Sequence, residues 1–414
     1  MILSKKYDIL KTGYVILLIT AFSRPILTII EGKTPLPLHK ILPASLLYIT
    51  LLLMFLSITH IKWDLVSSAI LLFCCYAIAS LAWGSELNDL LQLILPFIGY
   101  FAVKTYAKYV SNVRLIVTAL LIGYAIPIAG SSILMFADRS IAITVYGSGV
   151  LRQCGLYFGF HPAAHAMVLF SFTYSLFLTY KELKKPFFQY TVHSIFILSI
   201  YCLWHTYVRN GYLGLLLFWM IYLFRWKKRY FIVFLIVLMG LGFWKSSTVQ
   251  SVFWKADTWD REQNLNTASS GRIMLWSHNL NIFLEMPFYR KMIGSGLGSE
   301  SDRVIGKEDE IWSSHNDYIT LLMTLGVIGL LLYISIFILL LLDIIFYSKH
   351  NRAQSIYLSA IFVCLCTSMV TNGYVFRFET SQTFWLIIGC AYNLTRETAD
   401  QTNSGLIHRD NAII

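Results

Sequence analysis

Charged side chains are scarce in this sequence of 414 residues. Asp, Glu, Lys and Arg make up only 13% of it, whereas hydrophobic residues make up 57%. Soluble globular domains carry about 25% charged residues, so this deficit argues against a soluble protein. The long apolar segments instead predict helices that cross a membrane, because a helix satisfies its own backbone polar groups in lipid.

Patterns of cysteine and carboxylate residues that would hold a disulfide framework or a metal are also missing. Six of the seven cysteines lie in apolar segments, where cysteine acts as a small hydrophobic residue, and Cys154 lies in a polar loop. The sequence contains no Asp-x-Asp pair and no dense carboxylate cluster that would demand a divalent cation. We therefore expect no metal site and no cofactor.

The apolar segments predict an all-α integral membrane protein with about twelve transmembrane helices. The predicted helices lie at roughly 12–30, 41–58, 65–83, 90–103, 115–136, 163–180, 187–207, 211–224, 230–244, 318–347, 355–370 and 383–394.

Basic residues predict the orientation of these helices. Lysine and arginine are frequent in the loops at 104–114, 181–186, 225–229 and 348–352, and absent from the loop at 84–89. The positive-inside rule places the basic loops and both termini in the cytoplasm. The basic start of the chain has no small-residue cleavage pattern after it, so we expect a first anchor and not a cleaved signal peptide. The net charge of +11 is thus attributed to topology and not to nucleic-acid binding.

The predicted helices divide the chain into four parts. Residues 1–244 would hold the first nine helices, 245–316 a large periplasmic loop, 317–394 the last three helices, and 395–414 a disordered cytoplasmic tail. Within the loop, apolar residues at helical spacing predict an amphipathic helix at the bilayer surface. These residues are Ile273, Trp276, Leu280, Ile282 and Phe283.

Two arginines are candidates for binding an anion. Arg209, with Asn210 and Gly211, interrupts an apolar sequence that is too long for one span, which predicts a tight turn at Asn210 and Gly211. Arg272 follows a Ser-Ser-Gly sequence at the start of the amphipathic helix, where backbone N–H groups already favour anions. The alternatives are an Arg209 that reaches the lipid headgroups and an Arg272 that is a solvated surface residue.

A polar segment also precedes the tenth predicted span. His315 is suited to proton transfer near neutral pH, although an interfacial histidine can also be purely structural. Gly326 and Gly329 would lie on one helix face and allow close packing. The glycine-rich sequence at 292–301 has neither a preceding strand nor a Lys-Ser/Thr ending, so it predicts a structural turn and not a nucleotide site.

The sequence "HNDYITLLMTLGVIG" has His-Asn, nine residues, Gly, two residues and Gly. It resembles the motif of the bacterial O-antigen ligase and O-antigen polymerase superfamily, which includes exopolysaccharide polymerases. The sequences "TYVRNGYLGL", "SGRIMLW" and "IGSGLGS" are similar to further family elements and occur in the expected order, as does "RQCGLYFGFHPAAHA" at 152–166. One departure is "VRNG", where many members have Ser-Arg-Gly.

This resemblance implies a membrane-embedded, GT-C-like glycosyltransferase that is metal-independent and inverting. The donor would be a glycan on undecaprenyl pyrophosphate, used at the periplasmic face of the bacterial inner membrane. Arg209 and Arg272 would neutralise the pyrophosphate, and His315 would be the general base, with all three facing one cavity. Five further residues are expected to contact substrate: Arg152, Asn316, Asn210, Tyr207 and Tyr318.

Three functions remain open from the sequence. The first is a polymerase that transfers the glycan to a lipid-linked repeat unit, with a chain-length regulator as a candidate partner. The second is a ligase that transfers it to lipid A-core. The third is a flippase or transporter of lipid-linked glycans. The Ser-Gly-Arg and Gly-Ser-Gly-Leu-Gly sequences favour the polymerase, and the polar residues that gather on the outer side disfavour the transporter.

Overall fold

The computed structural model describes most of the helical segments. The described residues are 2–30, 45–46, 48–50, 52–53, 63–110, 113–139, 142–144, 151–157, 160–179, 186–226, 232, 272–299, 314–347, 352–371 and 380–392.

The described part is mostly helical. Its helices are α1 (Ile2–Leu27), α2 (Leu65–Ala79), α3 (Leu87–Val110), α4 (Val113–Phe136), α5 (Phe160–Thr179), α6 (Pro186–Thr206), α7 (Arg209–Trp226), α8 (Arg272–Glu285), α9 (Phe288–Ile293), α10 (Asp317–Tyr347), α11 (Arg352–Thr371) and α12 (380–392), with 3-10 turns at Thr28–Ile30 and Ser80–Trp83. The all-α prediction missed one small antiparallel hairpin, formed by β1 (Ala142–Thr144) and β2 (Leu151–Gln153).

The helical membrane architecture is confirmed in outline. Among the described residues, four helices are long and apolar enough to cross a membrane: Leu65–Trp83, Leu87–Tyr106, Val113–Phe136 and Asp317–Phe346. The total of twelve spans stays a prediction, since nearly all of the span at 230–244 and most of the one at 41–58 lie outside the described residues. Much of the predicted periplasmic loop, at 245–271 and 300–313, lies outside them too.

Aromatic side chains join the long helices in the core. The Phe73 ring of α2 lies 5.1 Å from the Tyr333 ring of α10, and the Phe97 ring of α3 lies 4.6 Å from the Trp385 ring of α12. The outer sides of the helices carry exposed apolar residues, such as Ile133 on α4, as expected for helices surrounded by lipid. This arrangement gives α10 a fixed position among α2, α3 and α12.

A break in α10 departs from the sequence prediction. Gly326 has φ 69° and ψ −172°, so it interrupts the helix and does not present a small-residue face together with Gly329. Three carbonyls at the break accept hydrogen bonds from outside the helix. Those of Met323 and Thr324 accept the N–H groups of residues 295 and 296 at 3.0 and 2.9 Å. The Leu325 carbonyl accepts the Tyr76 hydroxyl at 2.9 Å.

The glycine-rich segment is therefore structural, as the sequence predicted. A Cβ added at Gly294 would lie 2.2 Å from the Thr324 carbonyl oxygen, and one added at Gly326 would lie 2.4 Å from the Met292 carbonyl oxygen. On its other side the segment accepts the Glu86 N–H at the Leu297 carbonyl, at 2.8 Å. Its bare backbone thus fills the space between the broken helix and the turn that precedes α3.

Candidate functional site

Arg209 opens helix α7 directly after a tight turn. Helix α6 ends at Thr206, Tyr207 has φ 50° in the left-handed region, and α7 begins at Arg209. The Thr206 hydroxyl donates to the Leu203 carbonyl at 2.7 Å and accepts the Val208 N–H at 3.4 Å. Arg209 therefore lies beside the first N–H groups of α7, which lack intrahelical acceptors and favour an anion.

This turn lies earlier than the sequence predicted. Asn210 and Gly211 both belong to the first turn of α7, and Asn210 is buried. The reason for glycine is packing, because a Cβ at Gly211 would lie 2.9 Å from the Cδ1 atom of Leu203. The chain reverses at Tyr207 instead, which hydropathy could not reveal, since tyrosine seldom adopts a left-handed conformation.

Arg152, in the hairpin, lies close to Arg209. It lies in β2 opposite Ile143, and β2 packs against α6. Just beyond it, the Leu156 N–H donates to the Ser131 hydroxyl of α4 at 3.0 Å, which fixes the strand end. Burial lowers the pKa of Arg152, and the nearby charge of Arg209 lowers it further.

Arg272 is the first residue of α8, where the sequence predicted an amphipathic helix. Burial lowers the pKa of Arg272, and the charge of Arg209 again lowers it further. Arginine stays protonated at neutral pH despite such shifts. Three half-buried guanidinium groups, those of Arg152, Arg209 and Arg272, therefore lie near one another, with Arg209 as the neighbour that the other two share. We call these three residues the arginine cluster.

A compact cap holds the segment before α10. The Asn316 Oδ1 atom accepts the N–H groups of Tyr318 and Ile319 at 3.0 and 3.2 Å, so Asn316 is the N-cap of the helix. The buried Ser314 hydroxyl donates to the Asn316 carbonyl at 2.9 Å. Asn316 thus has a structural function, and its predicted contact with substrate stays a prediction.

His315 lies between these two buried residues, yet its own side chain is exposed. Its φ is 49°, in the left-handed region that costs a residue with a Cβ atom about 1–2 kcal/mol. The Trp276 indole donates to the Ser314 carbonyl at 2.9 Å. Because Trp276 lies one helical turn after Arg272 on the same face of α8, this bond joins the arginine cluster to the histidine segment.

Two tyrosines, Tyr318 and Tyr212, each donate a hydroxyl group to a neighbouring helix, and only Tyr318 was predicted. Tyr318 donates its hydroxyl to the Cys366 carbonyl of α11 at 3.2 Å, which ties the start of α10 to α11. Tyr212 was not predicted, although it lies three residues after Arg209 and hence on the same face of α7. It interacts electrostatically with Arg152, and its hydroxyl donates to the Trp204 carbonyl at 2.6 Å.

Residues 194–334 match the model of a protein family described as O-Antigen ligase. The resemblance to the O-antigen ligase and polymerase superfamily is confirmed. The matched region includes Arg209, Arg272 and His315, whereas Arg152 lies before it. This family implies a glycosyltransferase-like enzyme that acts on lipid-linked glycans. A comparison with curated proteins finds no match for the chain.

Proposed function

We propose that the protein is a polysaccharide polymerase that transfers a glycan from undecaprenyl pyrophosphate to a sugar hydroxyl of a lipid-linked repeat unit. The observation that supports this most is the gathering of Arg152 and Arg272 around Arg209. A departing pyrophosphate carries several negative charges, and preformed cations in a partly buried site stabilise such charge as it develops. Guanidinium groups also match phosphate oxygens two at a time.

In this mechanism His315 takes the proton of the acceptor hydroxyl. The hydroxyl oxygen then forms a bond to the anomeric carbon, and the bond between that carbon and the pyrophosphate oxygen breaks. The electron pair leaves with the pyrophosphate, whose charge the arginine cluster holds. Attack from the side opposite to the leaving group inverts the anomeric centre. The exposed side chain of His315, beside the buried cap, suits a base that meets a mobile acceptor.

The second candidate is an O-antigen ligase, which the description of the matched family favours. A ligase would use the same donor and the same residues, but its acceptor would be lipid A-core. In either case the protein would lie in the bacterial inner membrane with the site at the periplasmic face. A chain-length regulator would be a partner of the polymerase only.

Purified protein in lipid vesicles tests these proposals with lipid-linked repeat units taken from producing cells that lack this gene. A polymerase makes a ladder of longer glycans from these units alone, whereas a ligase makes product only when lipid A-core is added. EDTA should leave the rate unchanged, and a loss that magnesium restores would contradict the metal-independent mechanism. Absence of transfer to both acceptors would contradict the proposed function.

The arginine cluster is tested by the Arg272→Ala variant, which should lower transfer about 10²–10³-fold and also weaken donor binding. Arg272→Lys should recover little of this, because an ammonium group cannot bind two oxygens as a fork. The exposed Arg290 of α9 gives the matched control, Arg290→Ala, which should keep full activity. Equal activity of the Arg272→Ala and Arg290→Ala variants would contradict the assignment of the cluster.

A further inference from the structure

Aromatic side chains line the end of α6 next to the arginine cluster. Tyr201, Trp204 and His205 share one face of the helix by their spacing. The Phe136 ring at the end of α4 stacks on the Tyr201 ring at 4.4 Å, and the Tyr201 ring lies 4.5 Å from the His205 ring. The Tyr212 ring of α7 extends this group, since it lies 5.8 Å from the Trp204 ring. We call these five residues the aromatic strip.

Trp204 combines an open surface with a neighbour, Tyr212, that contacts both its ring and its backbone. Its side chain is 41% exposed, although the residue is in the last turn of a packed helix. Tyr212 supports it from one side, because the tyrosine hydroxyl donates to the Trp204 carbonyl at 2.6 Å while the two rings are in contact. The indole thus presents a flat apolar surface whose position is set before any ligand arrives.

The aromatic strip lies next to the arginine cluster, and Tyr212 connects the two. Tyr212 lies one turn after Arg209 on α7 and interacts electrostatically with Arg152. The strand that carries Arg152 packs against α6, which carries Trp204. A ligand whose phosphates reach Arg152 and Arg209 would therefore place the group attached to those phosphates beside the strip.

In a lipid-pyrophosphate-linked glycan, that attached group is a sugar. The flat face of a sugar ring presents C–H groups with a slight positive charge, and the face of an aromatic ring is negative, so the two faces attract each other. We propose that Trp204, supported by Tyr212, is a binding platform for a sugar ring of the glycan next to the pyrophosphate. This inference rests on the proposed function, since it assumes that the arginine cluster holds the pyrophosphate.

The alternative occupant of the strip is the lipid headgroup region, where tryptophan and tyrosine are commonly found. The position of the aromatic strip beside the arginine cluster favours the glycan, because a residue that only anchors the helix needs no neighbouring anion site. The two occupants also differ in what they recognise. A platform discriminates between ligands with and without a sugar, whereas an anchor does not.

Binding measurements on the full chain in lipid nanodiscs test this with two ligands. One is the lipid-linked glycan extracted from producing cells that lack this gene, and the other is undecaprenyl pyrophosphate without a sugar. Trp204→Ala should weaken binding of the first about threefold to tenfold and leave the second unchanged. Trp204→Phe should retain most of the affinity. Trp63, which is 50% exposed just before α2, supplies the matched control Trp63→Ala, with no effect on either ligand.

Two results would overturn the platform. Unchanged binding of both ligands by Trp204→Ala would show that the indole faces lipid, and an equal loss for both would show that it only supports the arginine cluster. Arg272→Ala separates this inference from the proposed function, because it should weaken both ligands. If Arg272→Ala binds undecaprenyl pyrophosphate as the wild type does, the proposed function fails. If it loses both ligands while Trp204→Ala loses neither, only the platform is wrong.

Discussion

The backbone conformation of His315 differs from that of its two buried neighbours. Its neighbours Ser314 and Asn316 are buried and cap α10, while the histidine has a left-handed conformation and an exposed side chain. Glycine would satisfy this backbone at lower cost, since it has no Cβ atom to oppose a positive φ. The cap itself therefore does not require an imidazole at this position, and the proposed mechanism uses that imidazole as the base.

Asn316, in contrast to His315, is predicted to affect the stability of the fold more than the activity. Asn316→Ala removes the acceptor of two N–H groups and should lower the free energy of unfolding by about 1 kcal/mol. A lower melting temperature of the variant in detergent would show this. Asn316→Ser should preserve most of this stability, because serine is also a good N-cap residue. Equal melting temperatures for the wild type and Asn316→Ala would mean that the cap contributes nothing.

At the scale of elements, the break in α10 sets where the cap and the histidine lie. The conformation of Gly326 is accessible essentially to glycine alone, and the glycine-rich segment supplies donors to the carbonyls that the break exposes. The backbone conformation of Gly326 therefore explains why the first glycine of the Gly-x-x-Gly sequence is needed. It turns the first third of α10, and the histidine before it, relative to the rest of the helix.

Gly326→Ala should consequently destabilise the fold by more than the cost of the strained conformation, about 1–3 kcal/mol, because its Cβ would lie 2.4 Å from the Met292 carbonyl oxygen. The amount of folded protein recovered after membrane extraction measures this. Gly214 of α7 is the matched control, since an added Cβ there would lie 3.3 Å from the nearest atom, the Cys364 sulfur. A Gly326→Ala protein as abundant and stable as Gly214→Ala would disprove the account of the break.

The sequence was informative about elements and much less so about how they meet. The apolar segments predicted the positions of the helices, and the spacing of apolar residues after Arg272 predicted the helix that begins there. Neither the break at Gly326 nor the turn at Tyr207 could be predicted, because both depend on backbone angles that hydropathy does not report. Tyr212 was missed although its spacing from Arg209 was visible, since a tyrosine in an apolar helix has no distinguishing pattern.

At the scale of the whole molecule, the site combines segments that are far apart in the chain. Arg152 comes from the hairpin, Arg209 from α7, Arg272 from α8 and His315 from the start of α10. The turn before α3 and the glycine-rich segment, both predicted to lie outside the membrane, are in contact through Glu86 and Leu297. This contact agrees with the sidedness that the basic loops predict for the two segments.

The central claim is that His315 transfers a proton beside the arginine cluster, and glycan transfer by His315 variants in vesicles tests it most directly. His315→Ala and His315→Gly should insert, fold and bind the donor, while transfer falls about 10²–10⁴-fold. The wild-type rate should fall as acid protonates the base, and this dependence should vanish in the variants.

His193→Ala, at a histidine that bonds the Tyr174 hydroxyl within the helices, should keep full activity. Full transfer by a well-folded His315→Ala or His315→Gly protein would contradict the account, as would high activity of His315→Asn.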